Sequence, residues 1–166
     1  MFFDQKLRYR AYSHHLKQLF GCKVYKVTLD AGFSCPNRDG SLSRYGCIYC
    51  DDGGSFSRAQ ESIWPIEQQL QEGMTKLTRR FKAKKFISYF QAYSNTYADV
   101  EKLKDIYDKA IIYDDVVGLS IATRPDCVSP EKVKLIQTYT KDYYVWLEYG
   151  LQTIHDRSLK MINRGH

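Results

Sequence analysis

Apolar residues recur along the chain with two different periods. Between residues 6 and 20 they lie three or four positions apart, which predicts an amphipathic helix. Residues 23–29 then alternate, so that Tyr25, Val27 and Leu29 share one face of a predicted strand. A strand pattern followed by a helix pattern occurs three more times further along the chain, so the fold is built from repeated βα units.

The later elements are predicted from the same periods. Strands are predicted at 84–93, 116–123 and 143–153, and helices at 64–81, 97–111, 129–141 and from 155 onward. Pro65 and Pro130 stand in first helical turns, where the missing amide hydrogen costs least, and Ser129 is the predicted N-cap. This order predicts a parallel sheet with right-handed crossovers. Four βα units after a leading helix are too few for a closed barrel, so we expect an α/β fold, either half a barrel or a small doubly wound sheet.

Length, charge and hydropathy narrow the class of protein. The chain has 166 residues, which favours one domain, and a net charge of +6. The basic residues crowd into 76–85, which permits a polyanionic partner but also fits a solvated helix end. Residues 1–20 are charged throughout and no apolar run reaches the ~20 residues of a membrane span. We therefore expect a cytoplasmic protein without a membrane partner.

Three of the five cysteines lie close together, as Cys35, Cys47 and Cys50, with the spacing C-x11-C-x2-C. In a reducing compartment clustered thiols indicate a metal site rather than a disulfide. A structural zinc site needs four ligands, and a [4Fe–4S] cluster held by three cysteines would leave one iron open. Both remain open at this point. Cys22, before the first strand, and Cys127, after the third, are expected to be ordinary semi-buried thiols.

The cysteine stretch has a known counterpart. Three cysteines ending in C-x-aromatic-C, in the loop after the first strand of a βα series, resemble the radical S-adenosylmethionine (SAM) superfamily. The usual motif is C-x3-C-x2-C, and the longer first gap resembles the branch that contains the catalytic subunit of the Elongator complex. Over residues 20–166 the chain is similar to the YhcC-like group of radical SAM proteins. The stretches that match in order are YFQAY (89–93), ATRPD (122–126), EYGLQT (148–153) and NRGH (163–166).

The resemblance implies roles for named residues. Cys35, Cys47 and Cys50 would bind three irons of a [4Fe–4S] cluster, whose fourth iron would take the amino and carboxylate groups of SAM. Tyr49 would lie against the adenine, although loop packing is the simpler alternative. Gln91 occupies the turn where related enzymes carry a Gly-Gly-Glu-like triplet, which this sequence lacks.

Three further residues are implied as contacts to SAM or substrate. Arg124 would oppose the SAM carboxylate or a substrate phosphate, or TRPD would be only a turn-and-cap element. Glu148 and Gln152 would reach the ribose or the substrate, and the alternative for Glu148 is an ion pair with an arginine at a strand end.

The implied activity is that of a radical SAM enzyme, in which the cluster cleaves SAM to a 5′-deoxyadenosyl radical that abstracts hydrogen from a substrate. An electron donor of the flavodoxin or ferredoxin type is implied, and a tRNA base is the candidate substrate. The family fold is a partial (β/α) barrel of six units. Residues 1–166 are therefore expected to be the N-terminal part of a radical SAM core domain, impaired when alone. The alternative function is a zinc-stabilised nucleic-acid-binding module without catalysis.

Overall fold

The computed structural model describes residues 8–51 and 64–166. The strands are Val24–Leu29 (β1), Lys85–Phe90 (β2), Val116–Thr123 (β3) and Tyr144–Tyr149 (β4). The helices are Tyr12–Phe20 (α1), Ile66–Phe81 (α2), Val100–Lys109 (α3), Pro130–Thr138 (α4) and Asp156–Met161 (α5). Short 3-10 turns follow β3 and α4, at Pro125–Cys127 and Tyr139–Lys141.

The four strands form one open parallel sheet in the order β1-β2-β3-β4. Parallel pairing and the α/β class are as the sequence predicts. Each strand lies beside the next one in the chain, so the described residues contain no point at which the strand order reverses. A reversal point defines a doubly wound sheet, and consecutive order is typical of a segment of a (β/α) barrel.

The two faces of the sheet are covered differently. Helices α2, α3 and α4 supply side chains to a large core with residues of all four strands, and this defines the convex face. A smaller cluster joins Leu16 of α1 to Val24 and Ile87 on the opposite, concave face. Because α1 lies only at the amino ends of the strands, much of the concave face keeps polar and aromatic side chains.

Two close contacts restrict the packing, one between β3 and β4 and one between α2 and the residue that follows β1. A Cβ atom on Gly118 would lie 2.5 Å from the backbone carbonyl oxygen of Tyr144, so this position of β3 accepts only glycine without a shift of β4. Gln69 of α2 is fully buried, and its amide donates to the Asp30 carbonyl at 2.8 Å and accepts from the Asp30 amide at 2.9 Å. The chain therefore leaves β1 in a fixed direction, toward the cysteine stretch.

Most predicted elements are confirmed, with shorter ends. The strand predicted at 84–93 ends at Phe90 and the strand predicted at 143–153 ends at Tyr149. Tyr93 and Gln152 have φ values of 61° and 71°, and such left-handed backbone cannot continue a strand. The face predicted for β1 is confirmed, because Tyr25, Val27 and Leu29 all contribute to the large core.

Helix starts differ in detail from the predictions. The leading helix begins at Tyr12 because Ala11 is extended, with φ −71° and ψ 130°. Residues 6 and 7 of that predicted helix lie outside the described residues. Ser129 occupies the N-cap position before Pro130, but its hydroxyl bonds Glu131 and does not cap the helix. None of the described helices has the length and apolar character needed to cross a bilayer.

The central strand β3 should carry much of the stability. We expect Leu119→Ala to lower the free energy of unfolding by about 2–5 kcal/mol, because Leu119 is fully buried and truncation leaves a cavity. Val133→Ala, on a side chain that is 43% exposed, should change it by less than about 0.5 kcal/mol. Urea unfolding followed by circular dichroism measures both, and equal losses would contradict the assigned core.

Candidate functional site

A cavity of about 320 Å³ opens at the carboxyl ends of the strands, and we call it the cysteine cavity. It lies within the range of volumes that small-molecule sites occupy. Segments that follow all four strands contribute to its lining. All eight residues implied by the resemblance line it, namely Cys35, Cys47, Tyr49, Cys50, Gln91, Arg124, Glu148 and Gln152. The tertiary structure thus brings together residues that are up to 117 positions apart in sequence.

The cysteine loop folds on itself through backbone hydrogen bonds. The Cys35 carbonyl accepts from the Arg38 amide at 2.8 Å, and the Asn37 carbonyl accepts from the Gly46 amide at 2.8 Å. The Cys50 amide donates to the Cys47 carbonyl at 3.0 Å, which closes the C-x2-C turn. Gly46 has a φ of 71°, a conformation that glycine adopts without strain. Local bonds therefore direct Cys47 and Cys50 toward the same cavity as Cys35.

Arg124 connects the end of β3 to the first cysteine. Its side chain is only 2% exposed, and its Nε and Nη2 donate to the two carboxylate oxygens of Asp126 at 2.8 and 2.6 Å. Its Nη1 lies 3.3 Å from the Cys35 sulfur and donates to it. The sequence left open whether Arg124 binds a ligand or belongs to a turn, and its three bonds give it a part in both the turn and the thiol site.

Cys47 also accepts from two nitrogen donors. Asn37 Nδ2 lies 3.4 Å and Arg164 Nη1 3.7 Å from its sulfur. Arg164 is fixed in turn by the Gly150 carbonyl, which accepts from Nη2 at 2.6 Å. Because Arg164 and Arg124 are cations, both sulfurs lie where negative charge is stabilised. Such an environment suits cysteines that act as thiolate ligands.

The NRGH stretch at the end of the chain packs on the cysteine loop. Asn163 Nδ2 donates to the Gly46 carbonyl at 2.5 Å, and the Ile48 amide donates to the Ile162 carbonyl at 3.1 Å. A Cβ atom on Gly165 would lie 2.8 Å from Asn37 Oδ1, so the contact is close. The match of NRGH to the resembled branch therefore has a structural counterpart, since this stretch supports the loop that carries the thiols.

Tyr49, Gln91 and Gln152 lie at the mouth of the cavity. Tyr49 is 43% exposed, and partial burial together with a hydrogen bond to Cys47 raises the pKa of its hydroxyl above the ordinary value. Gln91 directly follows β2, and Gln152 lies in the turn after β4 with a φ of 71°. All three side chains line the cavity.

Glu148 lies at the centre of a polar network on the concave face. It forms an ion pair with Lys26 of β1, and its carboxylate accepts from the hydroxyls of Tyr89 and Ser120, each at 3.0 Å. An ion pair is therefore present, but its cation is this lysine and not an arginine at a strand end. Burial alone would raise the pKa of Glu148, but the Lys26 hydrogen bond and charge and the two hydroxyls hold it below its ordinary range.

The remaining cysteines lie outside the cavity lining. Cys127 is buried behind it, and burial raises the pKa of its thiol to about 11. Cys22 lies at the amino end of β1, beside the small cluster under α1. Across residues 8–51 and 64–166 no three His, Cys, Asp or Glu side chains are grouped closely enough to hold a single metal ion. A four-iron cluster binds each thiolate at a different corner, so it does not gather its ligands around one point.

Sequence reasoning missed four residues of this region, namely Lys26, Asn37, Asn163 and Arg164. Asn37 lies within the C-x11-C spacing, and Asn163 and Arg164 lie within NRGH. The sequence motifs therefore indicated their positions but not their roles. No sequence pattern indicated a role for Lys26, because a lysine on the polar face of an alternating strand is usually exposed to solvent. Only the tertiary structure, which places Lys26 of β1 and Glu148 of β4 on the same face of the sheet, makes it the partner of Glu148.

The basic stretch 76–85 lies away from the cysteine cavity. Arg79 and Arg80 occupy the last turn of α2, and β2 begins at Lys85, so the stretch lies at the amino ends of the strands. The cavity opens at the carboxyl ends, which are separated from the amino ends by six-residue strands, or about 20 Å. The helix-end interpretation of these charges agrees with this location.

Three curated proteins are similar to most of the chain. The uncharacterized protein YtqA of Bacillus subtilis (strain 168) is 42% identical over 159 residues, and YhcC of Escherichia coli (strain K12) is 44% identical over 152 residues. The uncharacterized protein MJ0486 of Methanocaldococcus jannaschii is 36% identical over 159 residues. These matches cover 96%, 91% and 93% of the chain but 49%, 48% and 48% of the relatives. The chain thus spans about half the length of the curated relatives it matches.

A solved structure has a similar fold. It is the archaeal Methanocaldococcus infernus Elp3 with its N-terminal residues 1–46 deleted, and it matches with a TM-score of 0.52 at 16% identity. The match covers 86% of this chain and 32% of the Elp3 chain. At this level of identity the likeness concerns the fold. No family model matches the sequence.

Arg124 should stabilise the site through its fork with Asp126. We expect Arg124→Gln to lower the free energy of unfolding by about 1.5–3 kcal/mol, because a buried charge-assisted pair is lost. The same change should alter the rate of maleimide labelling of Cys35, mapped by mass spectrometry, because Arg124 both covers this 9% exposed residue and donates to its sulfur. Lys104→Gln removes an exposed helical pair and should cost only about 0.3–0.5 kcal/mol. Unchanged labelling of Cys35 would contradict the contact.

Glu148 should contribute stability in a pH-dependent way. Its folded pKa lies below the ordinary 4.5, so its contribution is present above about pH 4.5 and is lost as the pH falls through the folded value. We expect Glu148→Gln to be less stable than the unmodified chain at pH 7, with a difference that shrinks toward pH 3. Urea unfolding at both values measures this. Glu72→Gln, on an exposed position of α2, should show no such trend.

Proposed function

We propose that Cys35, Cys47 and Cys50 hold a [4Fe–4S] cluster and that the cysteine cavity receives SAM, in an enzyme of the radical SAM type. One observation carries the proposal, namely that the three thiols line a single cavity with residues from the ends of the other three strands. The archaeal Elp3, whose fold is similar, is a radical SAM family member, which supports it further. The proposal concerns the part of the relatives that this chain spans.

The chemistry of the residues fits such a group. Thiolates are soft ligands that favour iron–sulfur clusters, zinc or copper(I). Hydrogen bonds to cluster-bound sulfur are one means by which a protein tunes a cluster, and Arg124, Asn37 and Arg164 already donate to two of the three sulfurs. Zinc fits less well, because a structural site needs four ligands around one point, and within residues 8–51 and 64–166 no three His, Cys, Asp or Glu side chains are grouped that closely.

When bound, the cluster would supply the electron that cleaves SAM to methionine and a 5′-deoxyadenosyl radical able to abstract hydrogen from a substrate. The residues of this chain would place the reactants and exclude water. Arg124 would act mainly as a positioning residue, because its bonds to Asp126 and Cys35 already fix its guanidinium. Tyr49 offers an exposed ring for the adenine, and Gln91 an amide at the turn after β2.

Glu148 is suited to bind hydroxyl groups. Its carboxylate is held charged by Lys26. Lys26 and Ser120 both donate to Oε1, whereas Oε2 accepts from Tyr89 and keeps one further lone pair. We propose that it accepts from the ribose hydroxyls of SAM or from the substrate, with Gln152 on the same rim of the cavity. An ion-paired carboxylate is a fixed acceptor, so it would orient a sugar with little loss of side-chain entropy.

Partners follow from the proposed chemistry. An electron donor of the flavodoxin or ferredoxin type is needed, and a reducing compartment such as the cytoplasm would keep the thiols available. A tRNA base stays a candidate substrate, but stretch 76–85 gives it no direct support, since these charges lie about 20 Å from the cavity. Any nucleic acid bound there would have to extend over the sheet to present a base to the thiols.

The test is anaerobic reconstitution of the chain with iron and sulfide, followed by metal analysis and low-temperature EPR of the reduced protein. We expect about four irons per chain and an EPR signal that SAM alters. Cys47→Ala should lose the iron, because one of the three ligands is removed. Cys22→Ala is the matched control, since that thiol lies at the other end of β1, and it should retain the iron.

Two results would contradict the proposal. A colourless protein that holds one zinc and ignores SAM would favour the zinc-stabilised nucleic-acid-binding module, which should then bind nucleic acid with a steep salt dependence. Equal iron content in the Cys22→Ala and Cys47→Ala variants would show that the iron is adventitious.

A further inference from the structure

The concave face holds a second cavity of about 640 Å³, between α1 and strands β1 and β4. We call it the tryptophan cavity. Its main lining residues are Arg10, Tyr12, His15, Lys26, Trp146 and Glu148. It shares Glu148 with the cysteine cavity, so the two open on the same face of the sheet and meet at one carboxylate. A ligand in either cavity would therefore lie next to a ligand in the other.

Aromatic rings give the tryptophan cavity flat surfaces. Trp146 is 40% exposed although it lies on a strand, and the ring of Tyr12 meets it edge-on with centroids 5.4 Å apart. Tyr12 also stacks with His15 at 6.4 Å. Exposed rings held in fixed positions by one another bind planar groups at little entropic cost. The surface therefore suits a ligand with a flat aromatic ring.

The polar groups of this cavity favour an anion. Two cations, Arg10 and Lys26, face it with one carboxylate, Glu148, which the ion pair with Lys26 already neutralises. Arg10 lies at the rim, with its Nη2 3.4 Å from His15 Nδ1. Burial, with smaller contributions from Tyr144 and Glu148, raises the pKa of Tyr12 to about 12, so its hydroxyl stays protonated at neutral pH. The arrangement offers more donors than acceptors.

We propose that the tryptophan cavity binds a small molecule that joins a flat aromatic ring to an anionic group, the chemistry of a nucleoside monophosphate. The ring would lie against Trp146 and Tyr12, and the anionic group against Arg10. The volume of the tryptophan cavity, about 640 Å³, lies within the range of small-molecule sites. The interpretation of the cavity as the substrate subsite rests on the proposed function, because a radical formed in the cysteine cavity acts on what lies beside it. The binding of this ligand to the cavity does not depend on the proposed function.

The test measures binding of three probes to the metal-free chain, namely GMP, guanosine and inorganic phosphate. Trp64→Phe leaves Trp146 as the sole tryptophan of the chain, so its fluorescence reports occupancy of the cavity. We expect GMP to quench it saturably and to bind about tenfold more tightly than guanosine, because a charge-assisted hydrogen bond to Arg10 is added. Phosphate alone should bind more weakly than GMP, since it lacks the ring.

Variants assign the binding to residues. Arg10→Gln, on an exposed side chain, should remove the tenfold advantage of GMP over guanosine without affecting the fold. Trp146→Phe, measured by equilibrium dialysis, should weaken GMP and guanosine alike. Lys17→Gln removes a cation of α1 that does not line this cavity, and Gln91→Ala alters only the cysteine cavity, so both variants should bind GMP normally.

The outcomes separate this proposal from the proposed function. No saturable GMP binding, or binding that Arg10→Gln and Trp146→Phe leave unchanged, would overturn the ligand assignment even if iron and SAM bind as expected. Weaker GMP binding by Gln91→Ala than by the unmodified chain would also overturn it, because the probe would then lie in the cysteine cavity. GMP binding that follows the variants supports the ligand assignment whether or not a cluster forms. Without a cluster, only the substrate interpretation is lost.

Discussion

Parallel pairing of the four strands is the constraint on which the candidate site depends. Consecutive parallel neighbours place all four carboxyl ends at one edge of the sheet, so each strand delivers its following segment to the same side. Cys35, Gln91, Arg124 and Glu148 come from four different strand ends or the segments directly after them. No local interaction could gather them, and a single reversed strand would send one group to the opposite edge.

Around this edge, charge pairing decides which groups remain for a ligand. Arg124 is almost fully buried and donates hydrogen bonds to Asp126 and Cys35, so it positions the first thiol from the protein interior. Glu148 is compensated by Lys26, lines both cavities and keeps one acceptor site on Oε2. The site therefore combines a buried cation, which is held beside the sulfur, with a partly exposed carboxylate that a ligand can contact. This division suits a site that holds one group permanently and admits another.

The similarity to Elp3 agrees with this arrangement of strands at the level of the fold. The likeness to Elp3 covers 86% of the chain and 32% of that protein, and the relatives of known sequence are about twice as long as the chain. The described sheet is open at both β1 and β4, which leaves room for further strands beside it.

Sequence alone determined the order and type of the elements, because hydrophobic periods of two and of three to four residues are local properties. It also determined the grouping of the thiols, since the Cys47–Cys50 turn and the loop to Cys35 close through neighbouring backbone bonds. Strand ends were overestimated where Tyr93 and Gln152 adopt left-handed conformations that apolar patterns do not reveal. Tertiary structure alone decided that Lys26 pairs with Glu148 across the concave face, 122 positions away, and that Arg164 supports Cys47. Such contacts depend on how strands and helices pack, and no period in the chain encodes them.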